Sequence, residues 1–469
     1  MRTLLSFIAC LWFNQAVFAQ TGSDKPNIVV FIADDAGWRD FGCYGNPAIR
    51  TPNIDQLAAD GIRFTNVFLP TPQCSPTRTS LLTGQFAHTL RTEDLHTPLD
   101  VSEKTVAHHL GEAGYYTALL GKSHIGKEAT AQFDYFNAGK ENPRGQDLAT
   151  ALDNAGEQPI FAWFAFFDPH RSYQPNTIAN PHDLEEVVVP PYLADTPETR
   201  QDLAMYYDEI NRMDSVIGAS LALLEDRSRR ENTVVIFMSD NGKPFTRAKG
   251  TLYDEGIKTP FIVNWPARIA EARVNSNLLT TLRLAPTVLD IAGVDKPQKM
   301  FAESMASLFT EGNSVADEYV YGERNWHDCD EHMRSVRSDS FKLIVNSYIE
   351  LPHGTAADLA GSPSHQSLLR LKEKGELNEV QSLVFQVPRP AIELYDVIND
   401  PFELNNLAFR SEYRPIIREH YGALQQWMKE TNDFPPHFRR RYDNTDRVTG
   451  AMFLGDPPEM YAPLPEKQK

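Results

Sequence analysis

Residues 27–35 read Asn-Ile-Val-Val-Phe-Ile-Ala-Asp-Asp. The first seven form an almost wholly apolar run rich in branched side chains, which predicts a strand buried on both faces. Two later stretches share this design: residues 160–167 end at residues 168–170 (Asp-Pro-His), and residues 233–238 end at residues 239–242 (Ser-Asp-Asn-Gly). In open α/β sheets, ligands bind beyond the carboxyl ends of the strands. The polar residues after these strands are therefore candidates for a functional site.

Helical patterns separate the predicted strands. Residues 51–61 begin with a threonine cap and a first-turn proline and end at a glycine, and residues 105–114 also run from threonine to glycine. Residues 203–224 space their apolar side chains three and four apart, as an amphipathic helix does. This alternation predicts an α/β fold, with a large mixed, mainly parallel sheet sandwiched by helices.

The pattern changes after about residue 312. Residues 318–321, 341–345 and 392–397 predict short strands of a smaller sheet, and residues 416–428 predict a closing helix. A chain of 469 residues is too long for one ordinary core. We therefore predict a catalytic domain over residues 20–312 and a C-terminal α+β subdomain over residues 313–469, with a small antiparallel sheet.

The beginning of the chain has the pattern of an export signal. Arg2 is basic, residues 4–18 are mostly apolar, and residues 17–19 (Val-Phe-Ala) suit a signal peptidase. We predict a signal peptide at residues 1–19 and a mature protein in the periplasm or outside the cell. No later apolar stretch approaches the ~20 residues that a membrane span needs.

Cysteine content and charge restrict the function further. Cys43, Cys74 and Cys329 follow the predicted signal, and three cysteines are a poor disulfide framework for an exported protein. Whether Cys43 and Cys329 pair is left open by the sequence. The net charge of −18 argues against nucleic acid as a partner, because a phosphate backbone needs a basic surface. An anionic ligand would need a local basic pocket.

Four strand-end residues predict a metal site: Asp34, Asp35, Asp240 and Asn241. Their donors are all oxygens, which suit a hard cation and not zinc. Ca²⁺ fits an exported protein better than Mg²⁺, because it tolerates irregular oxygen shells. Two alternatives remain, namely that the paired acids cap the following helix and that the ion is purely structural.

Four basic residues predict an anion site next to the metal: Lys122, His124, His170 and Lys249. Lys122 and His124 follow the apolar residues 118–120 two positions apart, so we expect both at a strand end and on one face. Together these cations would offset a bound dianion beside a metal. Each one alone would be an ordinary loop residue.

The segment 74–78 reads Cys-Ser-Pro-Thr-Arg and is followed by Leu-Thr-Gly at 82–84. This arrangement closely resembles the signature of type I sulfatases, of the alkaline phosphatase superfamily, and the resemblance runs from residue 27 to about residue 406. It implies that a formylglycine-generating or sulfatase-maturing enzyme oxidises Cys74 to formylglycine (3-oxoalanine). It also implies an alkaline phosphatase-like fold. Ser75 lacks the G-x-S-x-G elbow of a serine nucleophile.

The same resemblance implies roles for the candidate residues. It assigns calcium to Asp34, Asp35, Asp240, Asn241 and the modified Cys74. It assigns the hydrated aldehyde to Arg78 and Lys122, and the sulfate to His124, His170 and Lys249. One hydroxyl of the hydrate would attack sulfur, His170 would protonate the departing alcohol, and His124 would take the proton of the second hydroxyl as sulfate leaves. Ser123 departs from the family, in which many members carry tryptophan at this place.

Within the family, several stretches look closest to sulfamidase-like carbohydrate sulfatases: 168–171, 189–193, 333–337 and 393–396. The region around Lys249 departs from them, because sulfamidase carries arginine near this place and O-sulfatases carry the Lys-Gly-Thr found at 249–251. We therefore favour a hydrolase of sulfate esters on the sugars of a sulfated polysaccharide or its oligosaccharides. The alternative within the family is an N-sulfoglucosamine sulfohydrolase.

Six basic residues in predicted loops are candidates for substrate contacts: Arg171, Arg247, Arg324, His327, His332 and Arg334. Each also fits an ordinary solvated residue. Two further functions remain open. A phosphodiester or phosphonate hydrolase of the same superfamily could use the same site, and a protein in which Cys74 is never oxidised could bind sugar without catalysis.

Overall fold

A computed structural model describes residues 25–137, 139, 141–310, 315–435 and 452. An eight-stranded mixed sheet lies at its centre. In spatial order, the strands are Tyr135–Asn137, Tyr116–Gly121, Ile160–Ala165, Asn27–Ala33, Thr233–Ser239, Phe261–Asn264, Ile62–Phe64 and Arg273–Asn275. The first five run parallel, and Phe261–Asn264 runs antiparallel to both of its neighbours. The predicted signal peptide lies outside the described residues.

The strand Asn27–Ala33 is buried on both faces, as the sequence predicts. Its alternate side chains enter two separate cores, with Ile28 in one and Val29 in the other. The helices on the first face are Cys74–Thr83, Val106–Glu112 and Leu284–Ile291. Those on the second are Pro52–Ala59, Gly145–Ala155 and Pro197–Asp226. The predicted helix at 203–224 begins earlier, because the Thr196 side chain caps it by accepting a hydrogen bond from the backbone of Thr199.

A second sheet lies in the C-terminal part and is antiparallel throughout. Its strands, in spatial order, are Val320–Arg324, Met333–Arg337, Phe341–Asn346 and Ile392–Asp396. Helix Arg414–Thr431 packs on this sheet through Leu424 and Trp427. The two sheets with their covering helices confirm the predicted fold class. The predicted boundary at 312/313 falls within 311–314, outside the described residues, and stays a prediction.

One strand of this second sheet was not predicted. Residues 333–337 (Met-Arg-Ser-Val-Arg) carry two arginines, yet all five are buried as a central strand of the sheet. Arg324 also ends a strand. Arg324 and Arg334 therefore lie in strands, and the prediction that placed them in loops was wrong. The reason is that their guanidinium groups are buried by contacts far away in the chain, which local polarity does not reveal.

The remaining elements are short, with one exception. A two-stranded sheet pairs Val67–Phe68 with Leu279–Thr280. Short helices lie at Ala87–Leu90, Lys127–Thr130, Asp254–Ile257, Ser307–Thr310, Ala357–Ala360 and Glu379–Ser382. The longer helix Pro363–Lys374 packs against Pro197–Asp226 and places Leu368 in the second core of the large sheet. No helix among the described residues is long and apolar enough to cross a membrane.

Candidate active site

The register of the large sheet brings the predicted site residues to one edge. Ala33 pairs with Ser239, so Asp34 and Asp240 leave adjacent parallel strands side by side. The backbone N–H of Asp34 donates to the carbonyl of Asp168 at 3.0 Å, and that of Asp240 donates to the carbonyl of Ala33 at 3.1 Å. These bonds extend the ladder one step beyond the strands. Three predicted strand ends therefore meet at one place.

The strand Tyr116–Gly121 delivers Lys122 to the same edge. Gly121 has φ of 88°, and a Cβ at this position would lie 2.1 Å from the carbonyl oxygen of Ala165. Only glycine combines this left-handed conformation with such a close backbone approach. The turn allows the N–H of Lys122 to bond to the carbonyl of Ala165 and its side chain to face the carboxylates.

Four side chains form a tight buried cluster: Asp34, Asp35, Cys74 and Asp240. Their nearest ligand atoms all lie within 4.8 Å of one another, and none is more than 2% exposed. The backbone N–H of Asp35 donates to Oδ1 of Asp240 at 3.1 Å. Asp35 holds a positive φ of 72°, an uncommon conformation for a residue with a side chain that occurs often at functional sites.

Three cations pair with these three carboxylates. Arg78 binds Asp240, with Nε 2.8 Å and Nη2 2.7 Å from Oδ2. Lys122 binds Asp34, and Nζ of Lys249 lies 2.7 Å from Oδ2 of Asp35. Burial alone would lower the pKa of Lys249, but the neighbouring carboxylates raise it well above its usual value. The six formal charges therefore cancel.

The donor set fits a divalent cation. Oδ1 of Asp34 and Oδ1 of Asn241 are buried, and neither has a hydrogen-bond partner within the described part of the chain. Asn241 lies against Asp35, with Nδ2 2.6 Å from Oδ1. Buried polar atoms are rarely left without a partner, so these two oxygens indicate that the site takes a ligand. Oxygen donors alone favour a hard cation such as calcium or magnesium.

Cys74 is the first residue of the helix Cys74–Thr83, every residue of which is buried. Its Sγ lies 3.7 Å from Oδ1 of Asp35. Burial raises the pKa of the thiol well above its usual value, although Lys122 and Lys249 oppose the shift. A thiol held in its protonated form is a poor nucleophile. Unmodified Cys74 is therefore badly suited to attack a substrate.

The two predicted catalytic histidines lie in different surroundings. Nε2 of His124 lies 2.7 Å from Nδ1 of His96, and burial together with Lys122 lowers the pKa of His124 well below its usual value. His124 is thus neutral at neutral pH and able to accept a proton. The side chain of His170 is 30% exposed, with Nε2 3.9 Å from Oδ2 of Asp35. It lies on the open side of the cluster.

Two residues of the site were not found from the sequence. Oδ2 of Asp358 lies 2.7 Å from Nζ of Lys249 and 3.6 Å from Nε2 of His170. His96 contacts His124, as described above. Neither residue follows a predicted strand or belongs to a recognisable motif, and Asp358 reaches the site from more than a hundred positions away in the chain.

Internal contacts engage several predicted substrate residues. Arg171 forms a two-point ion pair with Asp202, at 2.6 and 2.8 Å. Arg334 pairs with Asp433, with Nη2 2.7 Å from Oδ1. The guanidinium of Arg247 lies 3.7 Å from the ring centre of Tyr253.

The other three predicted substrate residues are also buried. Nδ1 of His332 lies 2.8 Å from the hydroxyl of Ser347, and Nδ1 of His327 lies 3.0 Å from Asp328. Arg324 is fully buried. The substrate roles of all six basic residues stay predictions. Among the cysteines, the structure has Cys43, Cys74 and Cys329 as free thiols.

Known proteins similar to this chain include several that act on sulfated compounds. The family model described as Sulfatase matches residues 26–294, and that described as N-sulphoglucosamine sulphohydrolase, C-terminal, matches residues 246–384. The N-sulphoglucosamine sulphohydrolase of Homo sapiens is 30% identical over 456 residues, covering 87% of this chain and 90% of the relative. An ulvan-active sulfatase of Formosa agariphila is 30% identical over 423 residues, covering 88% and 81%.

The fold is shared with solved structures. One is a protein in complex with its substrate D-glucosamine-2-N,6-O-disulfate; it has a TM-score of 0.69 and 20% identity, with 87% of this chain and 98% of that chain covered. Another is described as a 2-O GAG sulfatase, with a TM-score of 0.65 and 20% identity, covering 87% of this chain and 93% of that one. At such identity the likeness establishes the architecture alone.

Proposed function

This chain belongs to the sulfatase family and is a sulfuric ester hydrolase; on that premise, we propose that it removes O-sulfate groups from the sugars of a sulfated polysaccharide or its oligosaccharides. The names of its relatives support a sugar substrate, since one acts on N-sulphoglucosamine and another on ulvan. The observation that carries the proposal is the cluster of three carboxylates and three cations around Cys74, with His170 on its open side.

Charge in this cluster favours a sulfate only when a metal is present. The three carboxylates and three cations of the cluster cancel in the protein alone, and Asp358 adds one negative charge beside Lys249, so a calcium ion would leave the site with a formal charge of +1. A sulfate group would then find an opposite charge in a buried site of low dielectric, where electrostatic attraction is strong. We assign the ion to Asp34, Asp35, Asp240 and Asn241: the three carboxylates cluster tightly, Asn241 contacts Asp35, and one oxygen each of Asp34 and Asn241 has no hydrogen-bond partner among the described residues.

When present, formylglycine at position 74 and the calcium ion supply the nucleophile and the divalent charge that the hydrolysis needs. The chain's own residues do the rest. Arg78 fixes Asp240 in place. Lys122 would turn from Asp34 to the hydrated aldehyde, and Lys249 from Asp35 to a sulfate oxygen. His170 donates a proton to the departing sugar oxygen, and neutral His124 accepts the proton of the second hydroxyl.

Exposure gives the site a direction. The side chains of Asp34 and Asp35 are completely buried, whereas those of Asp358 and His170 are 20% and 30% exposed. A sulfate group would enter past His170 and Asp358 toward Cys74, and the sugar would stay at the opening. This direction places the ester oxygen beside His170, where a leaving group needs its proton.

The second candidate function is hydrolysis of N-sulfate, as in an N-sulfoglucosamine sulfohydrolase. The C-terminal family model at residues 246–384 favours it, because that model is described by this activity. Lys249 favours the O-sulfatase, since its ammonium is a single point charge where a sulfamidase carries a planar guanidinium.

Sulfate release by the matured enzyme tests the proposal. The protein is co-expressed with a formylglycine-generating enzyme, loaded with calcium, and given fragments of heparan, chondroitin, ulvan and carrageenan. Released sulfate is then measured by ion chromatography. Phosphodiesters, phosphonate esters and N-sulfoglucosamine are included to distinguish the alternatives. We expect O-desulfation of at least one fragment class and none with Cys74→Ala. Turnover of phosphodiesters without any sulfate release would contradict the proposal.

We also propose that the protein is exported. The basic and apolar pattern of residues 1–19 supports a signal peptide, and an export route would bring the enzyme to polysaccharides outside the cytoplasm. The N-terminal sequence of the protein recovered from the periplasm or medium tests this. A mature N-terminus at Gln20 is the expected result.

A further inference from the structure

Asp358 is an acidic residue at a place where the proposed reaction calls for positive charge. Its carboxylate lies 2.7 Å from Nζ of Lys249 and 3.6 Å from Nε2 of His170, the two basic residues on the open side. A sulfate bound there would meet this negative charge. Because like charges repel, Asp358 weakens sulfate binding unless it gains a compensating partner in the complex.

A metal ion does not explain this carboxylate. Asp35, His170 and Asp358 lie close enough to ligate a cation, but Nζ of Lys249 lies between the two carboxylates, 2.7 Å from each. The ammonium group of Lys249 therefore occupies the position that a metal ion would take. The second oxygen of the carboxylate, Oδ1, is buried and has no hydrogen-bond partner within the described residues.

Contacts on both sides of Asp358 fix the position of its backbone. It lies in the helix Ala357–Ala360, whose first backbone N–H donates to Oδ2 of Asp328 at 2.8 Å. Asp328 in turn is held by Nδ1 of His327 at 3.0 Å. On its other side the segment continues into helix Pro363–Lys374, which is anchored in the core of the large sheet. The carboxylate is therefore supported on both sides.

We propose that Asp358 is a specificity-determining residue that accepts a hydrogen bond from the sugar beside the scissile bond. This inference rests on the proposed function. His170 and Lys249 mark where the ester oxygen lies, and a carboxylate close to both can reach polar groups on the sugar next to the scissile bond. A carboxylate can only accept hydrogen bonds, so its partner is a donor.

Two donors fit this chemistry: a hydroxyl on the neighbouring sugar carbon and the N–H of an N-sulfate. Either would give the carboxylate a hydrogen-bond donor and offset the repulsion between Asp358 and the sulfate. An aryl sulfate offers neither donor. The site should therefore discriminate between sulfates that carry a donor next to the scissile bond and sulfates that do not.

The test compares Asp358→Ala and Asp358→Asn with the unchanged matured enzyme on four substrates. These are a monosaccharide O-sulfate with a free neighbouring hydroxyl, its deoxy analogue, the corresponding N-sulfate, and 4-nitrophenyl sulfate. We expect Asp358→Ala to lower kcat/KM about 10-fold to 100-fold for a donor-bearing substrate, the loss of one hydrogen bond to a charged group. Turnover of 4-nitrophenyl sulfate should not fall and should rise severalfold, since no donor is lost and the repulsion between Asp358 and the sulfate is removed.

The pattern across substrates identifies the donor. If Asp358→Ala lowers kcat/KM only for the O-sulfate, and the unchanged enzyme turns over the deoxy analogue poorly, the donor is the hydroxyl. If Asp358→Ala lowers kcat/KM for the N-sulfate, the donor is its N–H. Asp358→Asn keeps an acceptor oxygen and should retain most of the discrimination. Asp153→Ala applies the same substitution to an exposed acid that pairs with Arg227, and should leave all four rates unchanged. Thermal unfolding of each variant shows that it is folded.

Three outcomes would overturn the inference. Equal losses on all substrates, with a shifted pH profile, would make Asp358 a positioning residue for His170. A many-fold rise in kcat/KM for 4-nitrophenyl sulfate, without a fall for the sugars, would mean that Asp358 only obstructs sulfate binding and does not contact the sugar. No change would leave it without a role in specificity. Failure of the proposed function looks different, because the unchanged enzyme would then cleave 4-nitrophenyl sulfate and none of the sugar sulfates.

Discussion

Replacing Asp240 with asparagine exchanges one carboxylate oxygen for an NH₂ group and so tests whether Asp240 binds the calcium ion. Both oxygens of this carboxylate are engaged: Oδ1 accepts the N–H of Asp35 at 3.1 Å, and Oδ2 accepts Nε of Arg78 at 2.8 Å. Asparagine has nearly the same shape but only one acceptor. In either orientation its NH₂ group faces one of the two donors, and the buried guanidinium of Arg78 loses a charged partner.

The structure sets the size of the effect. Breaking a fully buried ion pair by removing one partner costs about 3–5 kcal/mol. With an unfolding entropy of about 2.1 cal/mol/K per residue over 469 residues, each kcal/mol shifts Tm by about 1 °C. We expect Asp240→Asn to lower Tm by about 3–5 °C in chelator. Calcium at about 100 times its Kd should stabilise the unchanged protein by about 2.7 kcal/mol, or about 3 °C, and stabilise the variant by less than half as much.

Differential scanning calorimetry over a calcium series, starting from chelator, measures both effects. Asp214→Asn is the matched control. Asp214 is a buried aspartate that accepts hydrogen bonds from the backbone of Ile54 at 2.8 Å and from the side chain of Asn53 at 2.8 Å, away from the cluster. The Asp214→Asn variant should have a lower Tm than the unchanged protein but gain as much stability from calcium. The metal assignment would be refuted if Asp240→Asn gained as much stability from calcium as the unchanged protein.

Other predictions concern the nucleophile, the histidines and pH. Maturation should lower the mass of the Cys74 peptide by the difference between a thiol and an aldehyde, and Cys74→Ala should have no activity; unchanged activity would contradict the modification. His170→Ala should slow sugar sulfates about 10²-fold to 10⁴-fold and aryl sulfates far less, because good leaving groups need no acid. His124→Ala should release one burst of alcohol and then stall; equal damage to both substrate types without a trapped enzyme would show these roles to be wrong. Burial alone would lower the pKa of His88, but Glu323 at 2.9 Å raises it. The ion pair stabilises the folded protein fully at pH below the pKa of His88 in the unfolded chain, about 6.5, and this stabilisation is lost as pH rises through the higher pKa of the folded state. The difference in Tm between the unchanged protein and His88→Gln should therefore shrink between pH 6 and 9. A constant difference would exclude the pair as its cause.

The sequence was sufficient to predict which residues meet at the edge of the sheet, because each buried parallel strand can be recognised from its own residues. Each buried run is continuous and ends where polar residues begin, and the carboxyl ends of parallel strands share one edge. Asp34 and Asp240 could therefore be placed together although they lie more than two hundred positions apart. Lys122 and His170 follow strands in the same way. Arg78 and Lys249 follow no predicted strand, and their roles came from the resemblance to sulfatases.

Asp358 shows where such reasoning ends. Its position depends on Asp328 holding the start of a four-residue helix and on Leu368 anchoring the next one in a distant core. No period or motif in residues 350–362 records these contacts. Arg334 was misplaced for the same reason, since a buried arginine and a solvated one look alike until Asp433 is seen beside it. Tertiary contacts decide such residues.

The charge balance of the cluster explains how a chain of net charge −18 can bind a sulfate. Screening at physiological salt confines the repulsion of the exposed acids to about 8 Å. The buried cluster is neutral by itself, and a bound calcium ion would add two positive charges, which outweigh the single negative charge of Asp358 and would attract a sulfate ester. Lys122 and Lys249 hold the carboxylates until then. If Asp34 and Asp35 held a calcium ion, Lys122 would be available to the hydrated aldehyde, and Lys249, still paired with Asp358, would be available to sulfate, so calcium should precede substrate in binding.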